Sequence, residues 1–329
     1  MSFFLKFFKL LPPELSHSLS LNSLNILYKL NLLKFFIKKP LHEEAFEFVG
    51  IKFKNRLGTA AGLDKNGDYI NSLGELGFGF LEVGTITPKA QKGNSKPRVF
   101  RNFKENSIIN RLGFNNKGVN YLINNLKNRK YKGVLGVNIG ANKDSKGNKR
   151  IDDYLVCLEK VHKYSDYISI NISSPNTSGL RELHNEEELK NLVRSIESKV
   201  CELNITVPIF LKISPDTSDK VIDKLIEIVH KSCLVGLIAT NTTTDKSNIK
   251  NHNFRFIEGG LSGEALMDKA TDRLSYINNK VKNLPLIGVG GVISRKDYQF
   301  KLKAGAQLVQ IYTGFIIKGP NIIHEILNN

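Results

Sequence analysis

From residue 46 onward the chain repeats one pattern: a short β-branched or apolar run, a polar or glycine-rich end, then a stretch with helical spacing. Eight runs fit it: NRLGTAAG from Asn55, FLEVGTIT from Phe80, GVLGVNIG from Gly133, YISINIS from Tyr167, IFLKIS from Ile209, VGLIATN from Val235, LPLIGVGG from Leu284 and LVQIYTG from Leu308. Each stays apolar almost to its last residues, the mark of a parallel strand covered on both faces. Residues 152–164, 186–203 and 218–231 carry helical spacing between them. Alternation of this kind predicts an α/β fold, a (β/α)₈ TIM barrel. A doubly wound open sheet is the alternative, and the missing GxGxxG after the first run counts against it. Residues 46–54, FEFVGIKFK, read as a hairpin able to plug the barrel bottom. The gap between Thr87 and Gly133 has room for extra strands or a loop on the catalytic face.

The first forty residues differ from the rest. They are dense in Phe and Leu, poor in acids, and interrupted by Pro12-Pro13 ahead of Glu14. The proline pair reads as the stop of one short helix and the first turn of another. Leu19, Leu24, Leu27 and Leu30 keep the spacing of an apolar stripe, and Leu21, Ile26 and Leu32 widen it. The pattern divides the chain into a helical extension, 1–39, and a barrel, 40–329. A signal peptide fits poorly, because the prolines break the apolar region and no small-residue cleavage site follows. A cap packed on the barrel and an interfacial helix pair lying in a lipid surface both fit.

Composition narrows the partners. The formal net charge is +17, which suits an anionic surface or nucleic acid. The lysines are dispersed, however, Trp is absent, and no basic stripe is interleaved with aromatics, so nucleic acid is not an expected partner. Cys157, Cys201 and Cys233 are far apart and lack metal-ligand spacing, which predicts neither a disulfide framework nor a metal site. No apolar run reaches the roughly 18 residues of a membrane span.

In a barrel of this kind the chemistry sits at the C-terminal ends of the strands. Here those ends carry Lys65, Thr85 and Thr87, Asn138, then Asn171, Ser174 and Asn176, then Lys212, then Thr240, Asn241 and Thr242. Asn, Ser and Thr are ordinary turn formers. A lysine after IFL is harder to explain, because a bare ammonium in a barrel mouth is costly without an anionic or electron-rich partner. The last two strands end in Gly290-Gly291 and Tyr312-Thr313-Gly314, which allow the close backbone approach a phosphate cradle needs. FMN suits such a rim, since no second nucleotide-binding unit is visible.

The blocks AAGLDKNG, GTITPKAQKGNSKPRVFR, INRLGFNNKG, NISSPNTSGLR, LKISPD, IATNTT, GGLSG, IGVGGV and AGAQLVQIYTGF resemble, in the same order, the signature blocks of the dihydroorotate dehydrogenases. The resemblance implies a flavoenzyme that oxidises dihydroorotate to orotate in pyrimidine biosynthesis. FMN would be held by Ala61, Gly62, Leu63, Asp64, Lys65, Thr85, Asn138, Asn171, Lys212, Thr240, Gly263, Gly291, Tyr312 and Thr313. The pyrimidine would meet Lys65, Asn110, Arg111, Leu112, Gly113, Phe114, Asn171, Asn176, Asn241 and Thr242. Ser174 falls at the catalytic base, where the cytosolic class carries Cys. Serine and the hydrophobic extension together imply the quinone-linked class, peripheral on the inner side of the cytoplasmic membrane, with His17 and Arg101 lining the quinone entrance. Residues 175–183 would form a lid over the substrate. Leu112 and Ser214 stand where the bacterial pattern more usually has Met and Ala. A cytosolic-class enzyme using fumarate or NAD, and a tRNA dihydrouridine synthase with its catalytic cysteine, are the alternatives within flavin barrels.

Overall fold

The computed structural model of the chain describes residues 9–37, 45–176 and 186–328. The strands, in chain order, are β1 (Phe46–Phe48), β2 (Ile51–Phe53), β3 (Leu57–Thr59), β4 (Phe80–Ile86), β5 (Val99–Asn102), β6 (Ser107–Asn110), β7 (Val134–Ile139), β8 (Tyr167–Asn171), β9 (Ile209–Ile213), β10 (Gly236–Ala239), β11 (Gly260–Gly263), β12 (Leu286–Val289) and β13 (Leu308–Ile311). Eight of them close a parallel barrel in the order β3-β4-β7-β8-β9-β10-β12-β13. These are the eight apolar runs. Their residues are buried throughout, because helices cover the outside while side chains fill the inside.

The helices between them bury one face each. Residues 186–203 form the helix Glu186–Leu203, and 218–231 the helix Asp219–His230. The predicted 152–164 segment begins four residues earlier, as Asn148–Val161, and ends in a 3₁₀ turn, His162–Tyr164. Leu189, Leu192, Val193 and Ile196 are the buried row of the Glu186–Leu203 helix, the three-to-four spacing of an amphipathic element.

The barrel floor is aromatic. The β1–β2 hairpin brings Phe48 to 5.8 Å from Phe210 and Phe53 to 5.4 Å from Phe80, ring centre to ring centre. Phe80, Tyr167 and Phe210 continue the layer across the strands. The rings fit because glycines face them: a Cβ on Gly58 would lie 2.5 Å from the Phe80 ring, and one on Gly136 would lie 2.1 Å from Tyr167. Above this floor is a polar layer. The Glu82 carboxylate accepts hydrogen bonds from Tyr167 Oη (2.8 Å), Gln310 Nε2 (2.6 Å) and Asn138 Nδ2 (2.9 Å). With partners on both oxygens a buried carboxylate is tolerated.

The segment between Thr87 and Gly133 supplies extra strands. β5 and β6 form a hairpin, and β11, roughly 150 residues later, pairs antiparallel with β6 in a separate sheet of order β11-β6-β5. This sheet stands beside the barrel mouth and packs on Ile109, Ile249, Phe254 and Leu261.

The helix Pro13–Lys29 starts directly after Pro12 and buries Ser16, Leu21 and Leu24. The leucine stripe read from the sequence divides here. Leu24 and Leu27 pack toward the core, whereas Leu19 and Leu30 are exposed by 38% and 61%. At about 100° per residue, Leu15, Leu19, Ile26 and Leu30 fall within roughly 60° of one another. They form one outward apolar row, followed by exposed Leu32, Phe35 and Phe36. Among the described residues no helix is long and apolar enough to cross a membrane.

Candidate active site

The C-terminal ends of the barrel strands and the β5-β6-β11 sheet border an open cavity. The barrel strands contribute Ala61, Gly62 and Lys65 after β3, Thr85 in β4, Asn171 in β8 and Lys212 in β9. Asn110 at the end of β6 and Leu112, Gly113 and Phe114 after it line the cavity too, as do Ser174, Asn176, Asn241 and Thr242. Thr240, Gly263, Gly291, Tyr312 and Thr313 complete the lining.

The amides form a connected set. Asn171 Nδ2 donates to Thr85 Oγ1 (3.0 Å) and Asn138 Oδ1 (3.2 Å), and Thr85 Oγ1 donates to Asn138 Oδ1 (2.6 Å). Asn241 Nδ2 donates to Ser173 Oγ (3.0 Å) and Asn171 Oδ1 (3.3 Å). Asn176 Nδ2 donates to Asn110 Oδ1 (3.2 Å), while its backbone N–H donates to Ser174 Oγ (3.3 Å). Mutual hydrogen bonds fix the rotamers, so the remaining donors and acceptors face the cavity in set directions. Phe114 holds a left-handed backbone, φ 51°, uncommon for an aromatic residue and a form of strain that gathers at functional sites.

Two cations dominate the electrostatics. Lys212 is buried, and its ammonium has no hydrogen-bond or ion-pair partner among the described residues. Burial holds its pKa below the ordinary lysine range, with Glu82 opposing. Lys65 is half-buried and donates to Gly62 O (3.1 Å). Burial, then the nearby Arg98 charge, draws its pKa down to about 8, while Glu14 and Asp64 push the other way. Thr242 Oγ1 and Gln310 Oε1 are buried without partners among the described residues. Orphaned polar atoms and an unpaired ammonium lining one cavity call for a ligand with matching donors, acceptors and negative charge.

The glycine side has a different shape. Gly263, Gly290 and Gly291 have φ of 98°, 110° and 88°. A Cβ on Gly291 would lie 2.3 Å from Met267 Cα, and one on Gly263 would lie 2.1 Å from Asn106 O. Bare backbone therefore faces the cavity here, beside the Thr313 hydroxyl bonded to Ser262 Oγ (2.8 Å). Such a surface admits a phosphate closely.

Several residues named from the sequence stand apart from the cavity wall. Leu63 lies in the core, and Asp64 is buried below, accepting from the Asp68 and Tyr69 backbone amides. Asn138 sits one layer beneath Thr85 and Asn171. Arg111 points outward, donating to Pro97 O. His17 and Arg101 lie between the N-terminal helix and the barrel: Arg101 donates to Ser16 Oγ (3.1 Å) and to Lys9 O and Leu11 O. Burial, then the charge of Lys65, takes His17 down to about 4. The lid reading falls mostly on residues 177–183, outside the described residues. Conversely, Ser262, Leu266, Val292 and Gln310 line the cavity without having been singled out in the sequence. Gln310 had a signal, a lone amide inside the apolar run LVQI.

A family model described as dihydroorotate dehydrogenase matches residues 44–329. The chain belongs to the dihydroorotate dehydrogenase family. It is 47% identical over 328 residues to the dihydroorotate dehydrogenase (quinone) of Buchnera aphidicola subsp. Schizaphis graminum, covering 97% of this chain and 96% of the relative. To the enzyme of the same description from Saccharophagus degradans it is 47% identical over 320 residues, with 96% and 94% covered. Among solved structures, it matches the crystal structure of Eimeria tenella DHODH in complex with ferulenol with a TM-score of 0.87 at 32% identity, covering 96% of this chain and 90% of that one. These family relationships and the closed parallel barrel agree with the fold and the family read from the signature blocks.

Proposed function

We propose that the chain oxidises dihydroorotate to orotate beside an FMN held across the barrel mouth, and delivers the electrons to a membrane quinone. The observation that carries this reading is the buried Lys212 ammonium, unpartnered among the described residues, facing an amide-lined cavity that Ser174 also lines. The residues fit FMN. Gly263, Gly291 and Thr313 would receive its phosphate, Ala61, Gly62, Lys65, Thr85, Asn171, Thr240 and Tyr312 its ring and ribityl chain, and Leu63, Asp64 and Asn138 would support that wall from behind. When bound, the flavin supplies a two-electron acceptor.

The remaining work falls to the protein. Asn110, Asn176 and Asn241, with Thr242, offer donors and acceptors to the amide edges of a pyrimidine, and Lys65 opposes its carboxylate. Leu112, Gly113 and Phe114 cover it. Ser174 Oγ takes the proton from C5 while its own hydroxyl proton passes to a water, as the C6 hydrogen leaves with its electron pair for the two-electron acceptor that the flavin would supply. Serine is a weak base, so the step depends on a dry site and a fixed Oγ; Ser174 is buried, and the Asn176 amide bonds to its oxygen. Lys212 offsets negative charge developing on the acceptor side.

The quinone reading rests on the serine, the relatives' description and the apolar row Leu15, Leu19, Ile26 and Leu30. That row, with exposed Lys9, Lys29 and Lys34, suits an interfacial helix. On this reading the protein sits peripherally on the inner side of the cytoplasmic membrane, and the quinone passes His17 and Arg101. Cys157, Cys201 and Cys233 all lie away from the cavity, which disfavours the cysteine-dependent dihydrouridine synthase reading. Ser174→Ala tests the proposal. The variant stays yellow, and dihydroorotate bleaches its flavin on the order of 10²- to 10⁴-fold more slowly; bleaching at the normal rate in stopped flow rejects the assignment.

A further inference from the structure

Taking Ser174 as the base, as proposed above, we infer that docking of the N-terminal helix positions the Ser174 loop through a relay of Glu14, Arg98, Asn94 and Asn176. Glu14 lies in the first turn of the Pro13–Lys29 helix, where a carboxylate is favoured by the helix dipole. Its Oε1 accepts from both Nε (3.0 Å) and Nη2 (2.8 Å) of Arg98. Arg98 is only 7% exposed and the Glu14 side chain 27%, so the pair is partly shielded from water. The guanidinium's other edge, Nη1, donates to Lys92 O (2.6 Å) and Asn94 O (3.0 Å). One side chain thus ties the helix to the turn at residues 92–94.

That turn holds both substrate segments. Asn94 Nδ2 donates to Arg111 O (3.0 Å) and to Asn176 O (3.3 Å). The first contact fixes the strip from Asn110 to Phe114. The second fixes Asn176, whose backbone N–H bonds Ser174 Oγ and whose side chain returns to Asn110. Packing here leaves little slack: a Cβ on Gly93 would lie 2.2 Å from Leu112 O, and one on Gly113 would lie 2.8 Å from Asn94 Cγ. A shift at Arg98 therefore reaches the base and the pyrimidine wall together. Glu14, Arg98 and Asn94 do not line the cavity, and they act as positioning residues. The helix that presents the apolar row outward is in this way part of the pyrimidine half of the site.

Adjacency along hydrogen bonds does not itself establish coupling; a double-mutant cycle does. The test uses the full-length, flavin-loaded protein at pH 7. It compares Glu14→Gln, Asn94→Ala, the double variant and Glu14→Asp. Orotate affinity is read from the flavin absorbance change, and flavin reduction by dihydroorotate from single turnover, alongside the KM for a soluble quinone. The expected result is that Glu14→Gln and Asn94→Ala each weaken orotate binding about 3- to 30-fold and slow reduction similarly. The double variant is no worse than the poorer single, and Glu14→Asp recovers part of the loss. Orotate affinity and reduction within twofold of wild type in Glu14→Gln, with only the quinone KM or the melting temperature changed, overturns the relay. So do strictly additive effects in the double variant. Should Glu14→Gln fail to fold, normal orotate affinity in Asn94→Ala alone overturns it. Ser174→Ala in the same assay separates the premises: slow Ser174→Ala with normal Glu14→Gln rejects the relay alone, and wild-type reduction by Ser174→Ala rejects the base assignment.

Discussion

On the proposed pairing of Lys65 with the pyrimidine carboxylate, substrate affinity should fall steeply above pH 8, because this lysine loses its proton early. Burial and the charge of Arg98 draw its pKa from 10.5 to about 8. The sign follows from the direction: a lysine with a depressed pKa keeps its charge below about 8 and surrenders it as pH rises through that value. At pH 7 roughly nine in ten Lys65 side chains are protonated, and at pH 9 about one in ten. An anion that binds only the protonated form therefore binds about tenfold more weakly at pH 9 than at pH 7. An ordinary lysine would remain protonated throughout and give a flat profile. The assay is orotate titration of the flavin-loaded protein from pH 6.5 to 9.5, followed by the flavin absorbance change. Lys65→Arg provides the control, since arginine stays charged over the whole range and flattens the curve. Glu14 raises the Lys65 pKa, so Glu14→Gln moves the fall in affinity to lower pH. A wild-type Kd constant within twofold from pH 7 to pH 9 refutes the reasoning.

Two further outcomes follow from buried charge and from exposed apolar surface. Lys301 is fully buried and donates to Thr271 Oγ1 (2.8 Å) and Met267 O (3.4 Å), and burial takes its pKa down to about 7. Between pH 7 and 10.5 the unfolded chain binds the extra proton, so wild-type stability rises with pH in that window. Lys301→Met should then be more stable than wild type by about 1–4 kcal/mol at pH 7, an advantage that shrinks by pH 9; urea unfolding at fixed flavin concentration checks it, and a variant weaker at both pH values refutes it. Replacing Leu15, Leu19, Ile26 and Leu30 together by Ser should cut co-sedimentation with phospholipid vesicles at least tenfold, with dihydroorotate-driven flavin reduction retained; undiminished vesicle binding excludes this row as the lipid-facing surface.

Much of the architecture was legible because parallel barrel strands are buried on both sides and leave continuous apolar runs. Lys212 was legible for the same reason: an ammonium closing the run IFL has no bland explanation. The polar layer within the barrel was harder to read. Glu82 and Gln310 each interrupt an apolar run once, and a test that asks only whether a run is apolar passes over them, although their inward position follows from strand alternation. β11 escaped notice because Gly260–Gly263 offers only Leu261 and Ser262 to form a pattern, and its partner β6 lies roughly 150 residues away. The N-terminal leucines were visible as a stripe, but which of them face the barrel depends on where Arg98 and Arg101 anchor the helix. Spacing within the helix holds no record of that.

The aromatic layer formed by Phe48, Phe53, Phe80, Tyr167 and Phe210 makes the barrel a vessel with a closed base. Reactants and product must therefore use the open end, where the proposed acceptor path past His17 and Arg101 lies apart from the Asn110–Phe114 strip that would cover the pyrimidine. With one two-electron store behind both paths, turnover should divide into two visits, the first leaving its electrons behind before the second collects them.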